Sequence, residues 1–410
     1  VFSFGKSLRD CMAAPNTLQA LDTTINALQC KASKNTGNTK NILLTGGAGF
    51  IGSHTAIHLV NKYPMYNVIV VDKLGYSANI KNLSSIANKP NFKFIHGSIT
   101  SRQLMRHIFN EYQINVVLHF AAETHVDLSF NHAFEFTETN VMGTHILLEC
   151  ARRSYQHQDP LNKRARFELF IHISTDEVYG ESNMDDSYEQ AKKETDRLLP
   201  TNPYSASKAA AEHIVHSYSR SFKLPVIVTR SSNVYGPQQF PEKLVPKFIY
   251  LINDGKPVCI YGDGKNTRVY LHVSDAANAF DTLLHRGVVG EIYNITCDTE
   301  LNTVEVASRM LACFEHIQES EHAKYIQFVT DRPFHDSRYY MNGEKMAALG
   351  WKPMVSFEHG LKQTVDWYLK HQHHWKNLEG ILVPHPELYY ETNAVFGGDK
   401  LDDEEEQDER

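Results

Sequence analysis

Long apolar runs are missing from this 410-residue chain. Stretches such as "NVIVV" (67–71) and "VIVTR" (226–230) fall far short of the roughly 20 residues that a membrane-spanning helix requires, so no transmembrane helix and no membrane partner are expected. Cysteine is sparse. The six present (Cys11, Cys30, Cys150, Cys259, Cys297 and Cys313) form no CxxC pair, which argues against a zinc ribbon or a disulfide framework and points to a reducing compartment. A basic excess is lacking too. The formal net charge is −7, and the last ten residues, "LDDEEEQDER", hold seven acids against one Arg, leaving the remainder nearly neutral. Without a Lys/Arg stripe interleaved with aromatics, nucleic acid is not the expected partner. The acidic tail reads as disordered and solubilising.

What is present suffices for a sizeable core, since 42% of the residues are hydrophobic. Residues 1–40 carry Ser, Thr, Asn and Lys with little apolar periodicity, and are read as a disordered extension ending in the linker-like "KASKNTGNTK". Residue 1 is Val, which is compatible with a removed targeting peptide. Asp10, Asp22 and the lack of Arg enrichment argue against a mitochondrial one, and a cytoplasmic location is expected.

From Asn41 short β-rich runs alternate with helical patterns: "NILLT", "NVIVVD", "FKFIHG", "VVLHFAA", "LFIHIST", "PVIVTR". Strand alternating with helix predicts an α/β fold, a doubly wound parallel sheet of Rossmann type, with ligands beyond the carboxyl ends of its strands. A dinucleotide-binding body over 41–236 is expected. It is followed by a smaller C-terminal substrate domain over 237–370, partly interleaved with the sheet, and a C-terminal extension over 371–410.

"LLTGGAGFIGSH" sets Gly46, Gly49 and Gly52 directly after the first strand, opening a helix. Glycines there let the backbone turn tightly and approach a pyrophosphate seated on the exposed N–H groups of the helix start. Such a turn alone is weak evidence. Twenty residues after Gly52, the second strand ends in Asp72, from which a carboxylate accepts ribose hydroxyls and repels a 2′-phosphate; NAD is therefore favoured over NADP. His54 and His58 lie four apart on the helix that follows. With no third ligand they read as an exposed helical face, and no metal is expected.

"NPYSASKAAAE" places Tyr204 and Lys208 one turn apart on a helix. A nearby ammonium and a positive nicotinamide both favour a phenolate, so Tyr204 is expected to take a hydroxyl proton as hydride leaves the same carbon, with Thr175 hydrogen-bonding that oxygen. Thr175 opens the most unusual stretch of the chain, "STDEVYG", where a buried strand ends on adjacent Asp176 and Glu177.

The blocks "TGGAGFIG", "DKLGYSAN", "LHFAAETHVD", "ETNVMGTHILLE", "STDEVYG", "NPYSASKAAAEH", "SSNVYGPQQFPEKLVPKFI", "YGDGKNTRVYLHVSDAA", "GEIYNI", "DRPFHDSRY" and "LGWKP" together resemble the extended short-chain dehydrogenase/reductases. More narrowly, they resemble the nucleoside-diphosphate-glucose 4,6-dehydratases, of the animal dTDP-glucose type, over residues 41–370. The resemblance implies tightly retained NAD, a nucleotide-sugar substrate and a homodimer. It adds Phe50, Ile51, Lys73, Ser98, Ile99, Ala121 and Ala122 to the cofactor site. Glu123, Thr124, His125, Asn233, Lys243, Leu244, Asn266, Arg268, Arg332 and His335 fall on the substrate side.

Within the superfamily the Asp-Glu doublet marks the dehydratases, and chemistry supplies the reason. A ketone at C4 of the glucose acidifies the C5 proton, and water leaves from C6, so one base and one acid are needed. Two close carboxylates in a dry site disfavour double ionisation. By the family pattern Asp176 is the acid and Glu177 the base.

Three residues depart from that pattern: Ser98 stands where an Asp usually meets the adenine amine, Leu128 replaces an Arg, and Phe334 replaces a Gly. The "KHQHHWK" cluster (370–376) is read as a surface helix end rather than a metal site. The alternatives are a nucleotide-sugar 4-epimerase or decarboxylase, which the Asp176-Glu177 pair disfavours, and a silent NAD-binding scaffold, which the complete Thr175, Tyr204 and Lys208 set disfavours.

Overall fold

A computed structural model describes residues 40–156, 167–331, 335–378 and 380–382. The expected N-terminal extension up to residue 39, the acidic tail, Arg332 and Phe334 lie outside the described residues.

The chain enters β1 (Asn41–Thr45), helix α1 (Phe50–Lys62), β2 (Asn67–Asp72) and β3 (Phe92–His96), then α2 (Arg102–Tyr112) and β4 (Val116–His119). A π-helical turn, Thr137–Gly143, leads into α3 (Thr144–Gln156), followed by β5 (Leu169–Thr175), α4 (Pro203–Phe222) and β6 (Val226–Ser231). These strands and the later β10 (Ile292–Ile295) form one seven-stranded sheet in the order β10-β6-β5-β4-β1-β2-β3, and every pairing is parallel. Strands buried on both faces read as continuous apolar runs, as "NILLT" and "LFIHIST" do.

Two helical layers cover the sheet. On one face Ala56, Leu59 and Val60 of α1 pack with Ala276, Phe280 and Leu283 of α6 (Val273–Arg286) against Ile42, Leu44 and Val70. On the other, Ile108 of α2, Leu147 of α3 and Val215 of α4 cover Leu43, Val117 and Phe170. The doubly wound α/β fold expected from the alternating pattern is what the chain adopts. Its register sets the strand ends side by side: Thr45 pairs with His119, His119 with His172, and Thr175 with Ser231.

A second core is built from α5 (Leu244–Asn253), α7 (Thr303–Leu311) and α8 (Phe357–Lys370), with Phe248, Ile249, Val306, Met310, Leu361 and Val365 at its centre. Two small sheets frame it. β9 (Thr267–His272) lies between β7 (Asn233–Tyr235) and β11 (Glu300–Asn302), and β8 (Val258–Tyr261) pairs with β12 (Ile326–Val329). The chain crosses back: α6 and β10, both beyond residue 237, belong to the large sheet and its helical layer, and Met346 and Trp351 later return to the same core.

The two histidine motifs pack differently from their reading in the sequence. His54 Nε2 meets the carbonyl of Pro237 at 3.0 Å, and His58 Nε2 meets Asp281 at 2.8 Å. Both are partly buried against α6 and the start of the second lobe, so this helical face is not an exposed one. In the 370–376 cluster His374 Nε2 contacts Asn82 Oδ1 at 2.8 Å and Trp375 is buried against Phe240. That half of the cluster is built into the fold because Trp375 supplies apolar area to the second core.

Candidate active site

The glycine turn leaves β1 at Gly46, whose φ of +68° suits a residue without a side chain. A Cβ there would lie 2.6 Å from the backbone nitrogen of Ala121, and one at Gly52 would lie 2.4 Å from the carbonyl oxygen of Gly46. The turn is thus pressed between the end of β4 and the start of α1. Gly49 occupies the N-cap in extended conformation with no side chain over the helix start, and the first amides of α1 stay free to meet an anion. Phe50 and Ile51 pack their side chains on the sheet core.

Asp72 ends β2 with one carboxylate oxygen accepting from Leu74 N at 2.7 Å and the other from Ala48 N at 2.9 Å. Burial raises its pKa, opposed by those amides. A carboxylate has about four lone-pair sites, so Asp72 keeps room to accept from a hydroxyl donor. These residues fit a dinucleotide.

Around them, Lys73 forms an ion pair with Glu123, and Ile99 is buried beneath the π-helical turn. Ser98 Oγ binds the Thr100 hydroxyl at 2.8 Å and accepts from Thr100 N at 3.2 Å. Ala121 N donates to Thr45 Oγ1 at 3.2 Å, holding the Ala121-Ala122 segment against β1.

The buried strand β5 delivers Thr175, and one 3₁₀ turn, Asp176–Tyr179, follows. Thr175 caps that turn: its Oγ1 receives Glu177 N at 3.4 Å and donates to Asp176 Oδ1 at 3.1 Å. Asp176 is 3% exposed, and its pKa is pushed up to about 7, first by burial and then by the neighbouring Glu177. Burial also raises Glu177, opposed by a hydrogen bond from Asn202 Nδ2 to Oε2 at 3.1 Å and by the charge of Arg268.

Across from the acids, α4 begins at a full capping box. Asn202 accepts from Ser205 N at 2.8 Å, the Ser205 hydroxyl approaches Asn202 N at 3.2 Å, and Pro203 occupies the first helical turn. Tyr204 therefore lies in the first turn, with Lys208 one turn further on the same face. Tyr204 faces the Thr175 side chain, whose hydroxyl favours the ionised phenol. Its pKa is raised by burial, then by Glu177 and Asp176. This differs from the expectation of a phenol acidified by Lys208: the Lys208 ammonium donates to the carbonyl of Ile173 at 2.6 Å, and burial lowers its own pKa to about 8. The protein's groups alone hold the phenol protonated, so ionisation of Tyr204 depends on positive charge brought by a ligand.

On the side of the second lobe, Lys243 Nζ donates to the carbonyl of Thr124 at 2.9 Å, and His125 caps the Val126–Asn131 turn while facing Glu242 at 3.8 Å. Leu244 opens α5, and Asn233 is exposed at the start of β7. Asn266 and Arg268 both donate to the carbonyl of Asp336, at 3.2 and 3.0 Å, and the Arg268 guanidinium lies over the Tyr339 ring at 4.4 Å. His335 pairs with Asp331 at 2.9 Å. Leu128 is exposed.

Three residues of the site were not singled out from the sequence. Asn202 holds Glu177; its signal was the Asn-Pro start of a helix. Asn140, in the π-helical turn, brackets Glu123 by accepting from its N–H at 2.8 Å and donating to its carbonyl at 3.0 Å, and donates to Ser207 of α4 at 2.9 Å. Glu242 is a carboxyl whose side chain is 7% exposed, beside Tyr76 and Lys243, with its pKa raised by burial. It sits inside "PEKL" yet carried no periodicity that would set it apart.

A parallel doubly wound sheet with this glycine turn, a strand-end Asp, and a Tyr/Lys helix facing strand-end Thr and acids defines an extended short-chain dehydrogenase/reductase. Residues 43–364 match the family described as GDP-mannose 4,6 dehydratase, and the chain belongs to this family of nucleotide-sugar 4,6-dehydratases. It is 47% identical over 351 residues to the dTDP-D-glucose 4,6-dehydratase of Homo sapiens, spanning 85% of this chain and 96% of that protein. It is also 47% identical over 349 residues to a trifunctional UDP-glucose 4,6-dehydratase/UDP-4-keto-6-deoxy-D-glucose 3,5-epimerase/UDP-4-keto-L-rhamnose-reductase of Arabidopsis thaliana. That match takes in 85% of this chain and 50% of the plant protein, so the chain spans about half the length of such relatives. Among crystal structures, it is similar to the dTDP-glucose 4,6-dehydratase of Bacillus anthracis in complex with NAD. The TM-score is 0.72 at 40% identity, covering 82% of this chain and 99% of that one.

Proposed function

We propose that the protein dehydrates a nucleoside-diphosphate-glucose, dTDP-glucose or UDP-glucose, to the 4-keto-6-deoxy sugar. The observation that carries this reading is the pair of buried acids at the end of β5, one of them held protonated up to about pH 7. The Gly46–Gly52 turn and Asp72 would hold NAD, which would supply a reversible hydride acceptor for the sugar.

The chain's own residues move the protons. Tyr204 takes the proton of the C4 hydroxyl, with Thr175 hydrogen-bonding that oxygen. Glu177 removes the C5 proton, Asp176 protonates the departing C6 hydroxyl, and Glu177 later returns a proton to C5. Lys73, Ser98, Ile99 and the Ala121-Ala122 segment line the cofactor side; Asn233, Lys243, Asn266, Arg268, Arg332 and His335 hold the diphosphate and nucleoside. Residues 41–236 form the cofactor-binding body and 237–370 the substrate domain, with α6 and β10 as the part that interleaves.

The protein acts as a cytoplasmic homodimer in this reading. Exposed Phe130 and Phe134, 47% and 89% accessible on adjacent helical turns, support a partner surface, and the free thiols of Cys150, Cys259, Cys297 and Cys313 support a reducing location.

The test is a hydride-tracing experiment on both nucleotide sugars. With substrate deuterated at C4 the product should weigh 18 mass units less than the substrate and carry the deuterium at C6. In heavy water C5 should gain solvent deuterium. Deuterium at C4 of an intact hexose would instead mean an epimerase, loss of carbon dioxide a decarboxylase, and no product a silent scaffold.

A further inference from the structure

The carbonyl of Ala48, inside the Gly46–Gly52 turn, is held twice from the segment between β2 and β3. It accepts from Asn79 N at 3.0 Å and from Asn82 Nδ2 at 2.9 Å. The Ala48 amide donates to Asp72 at 2.9 Å, so the peptide planes on both sides of Ala48 are set. Both asparagines are met in turn by His374, 292 residues beyond Asn82 and just past the end of α8. Asn79 Nδ2 donates to the His374 carbonyl at 2.9 Å, and His374 Nε2 lies 2.8 Å from Asn82 Oδ1.

The proton directions follow from the last acceptor. A carbonyl oxygen can only accept, so the Asn82 group facing Ala48 is its NH₂ and its Oδ1 is left to accept. His374 Nε2 therefore carries a hydrogen and donates. Burial lowers the His374 pKa to about 4, helped by the charge of Lys81, so this donor is a neutral imidazole at pH 7. The outer end of the chain is anchored, because Trp375, next in sequence, is buried in the second core edge-to-face with Phe240 at 5.0 Å. The inner end is dry, with Ala48 at 0% and Asn82 at 1% exposure.

We propose that His374, acting through Asn82, is a positioning residue for the cofactor turn and sets how long the protein retains its dinucleotide. Turn amides seat a pyrophosphate best when the backbone is fixed before the ligand arrives, since a loose turn must be ordered at the cost of binding. Without the imidazole, Asn82 Oδ1 loses its donor and the side chain that holds the Ala48 carbonyl is free to turn away. The proposal rests on the dinucleotide site and not on the sugar chemistry.

The experiment follows release of NAD. Protein loaded with radiolabelled NAD is chased with excess unlabelled NAD, and the label remaining bound is measured against time. His374→Phe keeps a ring beside Trp367 and Trp375 but loses the donor, whereas His374→Gln keeps a donor and loses the ring. His374→Phe should release NAD faster by roughly fivefold, the worth of one neutral hydrogen bond, and His374→Gln should stay within about twofold of wild type. Asn82→Ala should release it at least as fast as His374→Phe, and adding His374→Phe to Asn82→Ala should change nothing further, because both break one chain. Thermal melts of the NAD-free proteins, run alongside, report what each change costs the fold.

Release from His374→Phe at the wild-type rate would refute the proposal, even with a lowered melt, and leave His374 a residue of the fold alone. Equal acceleration in His374→Phe and His374→Gln would assign the effect to ring packing. A His374→Phe effect that persisted in full in the Asn82→Ala background would remove Asn82 from the chain. Either result overturns the proposal. Asn82 is buried, and if Asn82→Ala does not fold, the two His374 variants decide alone. Wild-type protein that took up no labelled NAD would overturn the cofactor assignment and this inference with it, whereas failure to dehydrate a sugar would touch only the proposed reaction.

Discussion

Lys208 binds the backbone carbonyl of Ile173, not the phenol of Tyr204 that shares its helix face. The 2.6 Å bond ties α4 to β5 two residues before Thr175, so the ammonium fixes how the helix carrying Tyr204 sits over the strand end. Lys208→Met fills the space but leaves a buried carbonyl without its donor. It should lower stability by about 1–3 kcal/mol and slow C4 oxidation by roughly 10²-fold. A thermal melt and stopped-flow absorbance of the reduced cofactor would read the two effects. Unchanged oxidation in a variant of reduced stability would make Lys208 a purely structural residue.

The two acids should separate by step. Glu177→Gln leaves Thr175 and Tyr204 in place, so oxidation proceeds while elimination stops, and absorbance of the reduced cofactor accumulates on mixing with substrate. Tyr204→Phe should show none. Asp176 acts in its protonated form, and burial beside Glu177 holds its pKa at about 7. Its contribution is complete below that value and declines as pH rises through it. Single-turnover elimination, started from the oxidised sugar, should therefore lose rate above about pH 7. A flat profile between pH 6 and 9 in the same assay would remove Asp176 from the acid role.

The alternation of β-rich runs with helical patterns identified the doubly wound sheet, because a strand buried on both faces must be apolar at every position. The site was legible wherever a residue's chemistry is unusual for its place: glycines before a helix, an acid ending a strand, two acids side by side. Hydrogen-bond geometry was not legible. Whether Lys208 would meet Tyr204 or Ile173 depends on the depth to which α4 packs on β5, and nothing in "YSASK" encodes that depth. His54, His58 and His374 were misread for a related reason. Their partners Pro237, Asp281 and Asn82 are 183, 223 and 292 residues away, and local patterning carries no trace of such contacts.

One of those distant contacts should matter for stability. Asp281 receives His58 and Lys62 of α1 and Tyr63 at its C-terminal cap at 2.8, 2.6 and 2.9 Å, and closes α6 onto that helix. Burial alone would raise its pKa, but the three hydrogen bonds outweigh it and hold the carboxyl far below its ordinary value. The sign follows directly. A depressed acid contributes stability above its unfolded pKa of about 3.9 and loses it as pH falls below. Asp281→Ala should cost about 1–3 kcal/mol near neutrality by leaving half-exposed donors without their buried acceptor, and the gap from wild type should narrow as the pH is lowered from about 4 toward 2. Denaturant melts of both proteins at pH 7 and pH 2 would test this; an equal gap at both would rule the clamp out.

Cofactor choice tests the other end of the site. Asp72 accepts from the amides of Ala48 and Leu74, so its carboxylate is fixed in place before any ligand arrives, and it keeps room to accept from a ribose hydroxyl. A 2′-phosphate would meet that fixed negative charge. Apo-protein titrated with each dinucleotide should bind NAD more tightly than NADP by roughly 10²-fold, a difference of about 2.7 kcal/mol. Ser98 should tune retention. Its hydroxyl is occupied with Thr100, the amide at 3.2 Å and the side chain at 2.8 Å, and is not directed at a ligand. Ser98→Asp can keep the Thr100 amide on one oxygen and offer the other to an adenine amine, so it should tighten NAD by roughly tenfold, the worth of one hydrogen bond to a charged group. The measurement is the fraction of protein that still carries NAD after gel filtration, together with the activity gained on adding NAD. If wild type bound NADP as well as NAD, the role of Asp72 would fail, and if Ser98→Asp retained no more NAD than wild type, the adenine would lie away from residue 98.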